Sequence, residues 1–140
     1  MNRITVGFFK DFEGKTLYKW SVRKLSESDL VFCSFIIYND FGSKLYGALP
    51  QLGEVGCHHY DPNTLKAELE LPWKSPDIIN KFKIFYNERK EKKFNYFGDN
   101  IGSFEKDRYS SSQFVAEFLG FPKPIKNNPQ MIYEILSKGK

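Results

Sequence analysis

Residues 30–38 read Leu-Val-Phe-Cys-Ser-Phe-Ile-Ile-Tyr, an apolar run softened only by Cys33 and Ser34. The run is far short of the roughly 18 apolar residues a membrane helix needs, and its Val, Phe and Ile content favours an extended strand. Successive side chains of a strand point to opposite faces, so a run apolar at nearly every position predicts a central strand covered on both sides. Asn39 to Gly42 then supplies a hairpin turn. Lys44 to Leu49 and Val55 to Tyr60 read as shorter strands around the Pro50 to Gly53 loop, and Leu65, Ala67, Leu69 and Leu71 alternate with polar residues. Upstream, Ile4, Val6 and Phe8 alternate in an opening strand, and Thr16 to Lys24 places Leu17, Trp20 and Val22 near helical spacing behind Thr16 as an N-cap. The expectation is one meandering antiparallel sheet.

After Pro72 the period changes. Ser75-Pro76-Asp77 predicts a helix start with Pro at N1, and Ile78, Ile79, Phe82, Phe85 and Tyr86 recur at helical spacing to about Arg89. Asn95 to Phe104 is aromatic and punctuated by Gly, a loop or single turn. Ser110 to Ser112 offer cap hydroxyls before Phe114, Val115, Phe118 and Leu119, and Gly120 is a natural stop. A last helix opens at Asn128-Pro129 and carries Met131, Ile132, Ile135 and Leu136. Strands gather in the first half and helices in the second, the pattern of an α+β domain in which a small antiparallel sheet packs against helices.

The length of 140 residues suits a single domain, 1–140, and 17% aromatic residues supply large apolar side chains for a core that needs no staples. Two cysteines are too few for a disulfide scaffold, and no leader or membrane span is evident, so a soluble cytoplasmic protein is expected. Net charge is +4, divided as 8 basic against 9 acidic groups in residues 1–70 and 13 against 8 in residues 71–140. The densest basic stretch, Lys81, Lys83, Arg89, Lys90, Lys92 and Lys93, is interrupted by Glu88 and Glu91 and by apolar residues. That interruption fits a solvated helix face better than a phosphate-tracking stripe, so nucleic acid is not an expected partner.

Candidates for chemistry are few. His58 and His59 are the only histidines, and neighbours on a strand are expected to point to opposite faces. Cys57-His58-His59 lacks the paired spacing of a zinc site, so no metal or other cofactor is expected. Cys33 with His58 or His59 would make a nucleophile pair if their strands are neighbours, although a thiol in so apolar a strand reads as a small hydrophobe. The serines 110–112 are a helix cap, or, given a base, a nucleophile at a positive helix end.

The segment DRYSSSQFVAEFLG, residues 107–120, resembles the nucleophile motif of the circularly permuted NlpC/P60-type papain-like proteins, the YiiX-like hydrolases and their viral and phage relatives. In that family an aromatic residue precedes Cys-Ser-Glu-Phe-Val-Ala and an apolar helix ending in Leu-Gly. Here Ser111 takes the cysteine's place, followed by Ser112, Gln113, Phe114, Val115 and Ala116 and then by Leu119 and Gly120. KFNYFGDNIGSF, with Tyr96, Phe97 and Gly98, is similar to the Tyr-Asp-aromatic-x-Gly segment found shortly before that cysteine. The family's catalytic histidine lies on a strand best matched by Leu30 to Tyr38, where its place falls on or beside Cys33-Ser34.

The resemblance thus implies a papain-like fold whose nucleophile and base positions have become Ser111 and Ser34. What it implies about function is a degenerate, non-catalytic domain, phage- or virus-encoded, acting in the host cytoplasm or virion as a structural or protein-binding component. A cleft walled by Tyr96, Phe97, Tyr109 and Ser112 would be left to accept a peptide or acyl ligand. The competing expectation is an active amidase, esterase or peptidase using Ser111 or a pair of Cys33 with a histidine.

Overall fold

The computed structural model describes residues 3–12, 16–26, 29–72, 76–95, 108–121 and 128–138. Within them a curled sheet of seven strands packs with four helices. The strands are β1 (Arg3–Phe9), β2 (Phe32–Asn39), β3 (Gly42–Leu49), β4 (Glu54–His59), β5 (Leu65–Glu70), β6 (Lys93–Phe94) and β7 (Arg108–Tyr109). The helices are α1 (Thr16–Ser26), α2 (Ile78–Arg89), α3 (Ser111–Leu119) and α4 (Pro129–Lys138). The sheet order is β5-β1-β2-β3-β4-β6-β7, antiparallel throughout except for the parallel pair β6 and β7.

β2 lies inside the sheet between β1 and β3, with Phe32 to Ile37 all buried, as its unbroken apolarity predicts. Alternation sorts its side chains into two cores. Cys33, Phe35 and Ile37 join Ile4, Val6 and Phe8 of β1 on the face covered by Phe82 and Tyr86 of α2, Phe114 and Val115 of α3, and Ile132 and Leu136 of α4. Phe32 and Ile36 join Phe9, Phe12, Leu45 and Leu49 on the other face. The first core is dense in edge-to-face aromatic contacts, with Phe35 4.9 Å from Phe82 and 5.3 Å from Phe118 between ring centroids.

The sheet departs from a pure meander at β5. After β4 the chain turns back through a single-turn 3-10 helix, Pro62–Thr64, and β5 pairs with β1 instead of extending the far edge. This return passes over the second core: Tyr60 packs edge-on against Phe9, and Thr64 O accepts from Lys10 N at 2.9 Å. The connection therefore covers a face on which the described helices form no second layer, Tyr18 of α1 alone among them packing on that core. On the exposed edge, β5 carries Lys66, Glu68 and Glu70 among its apolar residues, and charge at an edge discourages strand addition.

Helix starts and faces differ in detail from the sequence reading. Asp77 is the N-cap of α2, so Pro76 precedes the cap and is not the first helical residue. Leu17 and Trp20 of α1 face solvent, Leu17 with 78% of its surface exposed, while Val22 is buried and Tyr18 packs on both cores. Likewise Ile132 and Leu136 are the buried pair of α4, and Met131 and Ile135 are exposed. Each buried pair is spaced i, i+4, and which such stripe faces inward is decided by the sheet it meets. Gly120, with φ of 75°, ends α3 in the left-handed conformation expected of a glycine stop. No described helix is long and apolar enough to cross a membrane.

Close packing leaves Gly7 without latitude. A Cβ on Gly7 of β1 would stand 2.6 Å from Ile36 Cδ1 and 2.8 Å from Phe9 Cε2. Gly7→Ala is expected to cost about 1–3 kcal/mol, the usual penalty for overpacking a filled core. Urea denaturation checks this; an unchanged midpoint would mean that the second core yields freely.

Candidate functional site

The start of α3 is built from three consecutive buried serines. Ser110 is the N-cap: its Oγ accepts from Gln113 N at 3.2 Å, while Gln113 Oε1 accepts from Ser110 N at 2.9 Å. This reciprocal capping box satisfies backbone donors that a helix start otherwise leaves open. Ser112 Oγ lies 3.4 Å from Ser110 Oγ. Ser111 Oγ accepts the backbone N–H of Cys33 in β2 at 3.2 Å, so the helix start is tied to the central strand through its second serine.

Ser34 is the next residue along β2 and lies where the pairing of β2 with β3 ends at Phe35 and Tyr46. Its hydroxyl proton is shared between the carbonyls of Phe35 and Tyr46, each 3.2 Å away. The Cβ position of Gly47 is 3.1 Å from Ser34 Oγ and 3.6 Å from the Phe114 ring, so Ser34 and the first turn of α3 meet around a residue without a side chain. The structure thus brings Ser34 and Ser111 into one neighbourhood, both fully buried and both engaged with main-chain groups.

Of the other anticipated residues, Ser112 and Tyr109 flank the same helix start, whereas Cys33 and the histidines are not brought together. Tyr96 and Phe97 lie outside the described residues. Tyr109 is half-buried and its hydroxyl donates to Glu117 Oε1 at 3.2 Å; Ser112 is fully buried. Cys33 belongs to the helix-covered core, and β3 separates its strand from β4, which carries the histidines. His58 and His59 line a cleft of about 260 Å³ with Phe12, Phe32 and Leu45 of the other core. The two histidines also do not diverge: their ring centroids are 4.2 Å apart, because β4 ends at His59 and strand alternation ends with it. Both imidazoles of the chain are therefore on the face away from the helix-covered core.

Two polar clusters beside these sites carry no mark in the sequence. Arg89, read as part of a solvated basic stretch, donates from Nε and Nη2 to Glu117 Oε1 at 3.0 and 2.7 Å and from Nη1 to Phe85 O at 3.0 Å. Its guanidinium lies 3.8 Å over the Phe85 ring and ties α2 to α3. Across the sheet, Glu68 of β5 accepts from Thr5 Oγ1 of β1 and from Tyr38 Oη of β2. No group of three or more His, Cys, Asp or Glu side chains suited to a metal ion occurs among the described residues. Comparison of the chain with family models, curated proteins and solved structures finds no match.

Several phenols are held protonated. Burial, reinforced by hydrogen-bonding with Cys57, pushes Tyr46 up to about 12. Tyr38, Tyr60, Tyr86 and Tyr109 also rise, chiefly through burial, and Glu68 and Glu117 add charge repulsion at Tyr38 and Tyr109. Stability is accordingly full below the ordinary phenol value of 10.0 and falls as pH rises through it, because the unfolded chain releases protons that the fold retains. Urea midpoints measured from about pH 8 to pH 11 should decline only in the upper part of that range, and a flat profile would contradict the burial of these hydroxyls. At neutral pH, Ser111→Ala removes the acceptor of Cys33 N–H and is expected to cost about 1–2 kcal/mol in the same assay.

Proposed function

We propose that the chain is a non-catalytic relative of the NlpC/P60-type papain-like hydrolases, a binding or structural component of a viral or phage system. The observation that carries this reading is the state of Ser111. It occupies the helix-start position that the family gives to its cysteine, yet its Oγ is buried and accepts a backbone hydrogen bond from Cys33. A serine hydroxyl reacts only when a base takes its proton, and both histidines line a cleft built from the other core. A thiolate at the same helix start would gain from the helix dipole, whereas a hydroxyl there serves as a packing and capping group.

Binding is supported by the surface. Phe41 is fully exposed at the tip of the β2–β3 hairpin, where Asn39 Oδ1 accepts from its N–H at 2.8 Å and holds the turn. Trp20 and Leu17 add an exposed apolar pair on α1. Large apolar side chains held out in this way are the raw material of protein–protein contacts. A role in the host cytoplasm or virion belongs to the same proposal.

The test is covalent labelling of the folded protein, read by peptide mass spectrometry. A fluorophosphonate is expected to leave Ser111 unmodified, and iodoacetamide to alkylate exposed Cys57 but not buried Cys33. Stoichiometric labelling of Ser111 or Cys33, with ester or amide turnover that Ser111→Ala or Cys33→Ala abolishes, would establish the hydrolase instead.

A further inference from the structure

The outer face of α1 joins large apolar side chains to cations. At about 100° per residue, Leu17, Trp20 and Lys24 project within roughly 60° of one another, and Arg23 follows at the border of the same arc. All four are exposed, Leu17 by 78% and Trp20 by 59%, while buried Val22 and the core-packed Tyr18 occupy the opposite side of the helix. Thr16 to Ser26 contains no Asp or Glu, and its last turn carries Arg23 and Lys24. Arg23 Nη2 donates to the carbonyl of Lys10, which sets the exposed Lys10 beside it. Asp11, next in sequence, is engaged by Lys19 Nζ at 2.8 Å, so its charge is already matched.

We infer that this face docks on an anionic lipid surface. A Trp ring joins an apolar body to a polar N–H and settles at headgroup level, Leu17 enters the acyl boundary, and the ammonium and guanidinium groups meet lipid phosphates. The position of Lys24 separates this contact from a protein interface. Its direction falls between those of Leu17 and Trp20, one turn beyond Trp20. A protein seated on the apolar pair would have to strip water from an ammonium at the middle of its contact, and protein interfaces are depleted in Lys. A lipid surface supplies phosphates and water at the depth where a lysine on its long stem emerges. Two apolar side chains bordered by Lys10, Arg23 and Lys24 give a reversible association, in which the helix lies along the membrane and stays packed on the domain. The inference goes beyond the protein-binding reading of these side chains and does not depend on Ser111.

Cosedimentation with large unilamellar vesicles tests the assignment, comparing phosphatidylcholine alone with phosphatidylcholine containing about 30% phosphatidylserine. The protein should bind the anionic vesicles at least about tenfold more tightly than the neutral ones, and about 0.5 M salt should remove most of the difference. Trp20→Ser and Leu17→Ser should each weaken binding about tenfold and Lys24→Gln about fivefold. Their urea midpoints should stay unchanged, because these side chains are exposed. In a Trp73→Phe background, Trp20 is the single tryptophan and its emission should shift to the blue on anionic vesicles. Quenching of the unaltered protein by brominated acyl chains, lost in Trp20→Ser, gives the same readout without Trp73→Phe. Absence of binding to anionic vesicles, equal binding to neutral ones, or binding indifferent to all three substitutions would overturn the inference. So would binding of soluble polyaspartate with the affinity of the vesicles, which assigns the face to an acidic polypeptide, or dimerisation abolished by Trp20→Ser, which assigns it to a second copy.

Discussion

The two-sided burial of β2 is the constraint from which the rest of the structure follows. Six consecutive residues, Phe32 to Ile37, are removed from water, so the strand requires neighbours at both edges and cover on both faces. β1 and β3 supply the edges, and α2, α3 and α4 supply one cover. Among the described residues the other face has no such helix layer. It is closed by aromatic residues packing among themselves, Phe9 stacked on Phe32 at 4.5 Å and Phe12 edge-on to Phe32 at 5.6 Å, and by the chain returning from β4 to β5. The unequal covers explain why a cleft forms on the second face: one crossing segment fills less space than three helices.

Burial on this scale also decides how polar groups are used. Ser34 and the three serines at the start of α3 are all fully buried, and a hydroxyl in that setting must exchange hydrogen bonds with whatever main chain is near. Where β2 and β3 stop pairing, Ser34 reaches the Tyr46 carbonyl; where α3 meets β2, Ser111 takes the Cys33 amide. These are repairs to a sheet that opens to admit a helix end. Arg89 performs the corresponding task between helices, with its charge matched by Glu117 and its flat face set against Phe85.

The strands and helices were legible because their signals are local. The period of two in β1 and β5, the apolar run of β2, the serine cap of α3 and the glycine behind it all depend on near neighbours in the chain. What depended on distant contacts was hidden. The pairing of β5 with β1 needs a return across the sheet that no turn residue announces. Two-residue strands such as β6 and β7 are too short for any period, and the solvent-facing Leu17 and Trp20 follow from where the sheet leaves room for α1. The placement of Ser34 beside the start of α3 depends on where β2 and β3 part, and the grouping of His58, His59, Gln51 and Asp61 requires β4 to end and the chain to cross back.

The two faces consequently obey different rules. On the helix-covered face the hydroxyls of Ser34, Ser110 and Ser111 are engaged with main-chain groups, and Ser112 Oγ lies beside Ser110 Oγ. On the open face, packing is incomplete in one place and an amide oxygen is left unmatched. A buried acceptor without a partner weakens the fold, because the cost of desolvating that oxygen is met with no hydrogen bond in return. The two cores are therefore packed to different standards, and a change at the cleft of the second leaves the hydrogen bonds around Ser111 in the first intact.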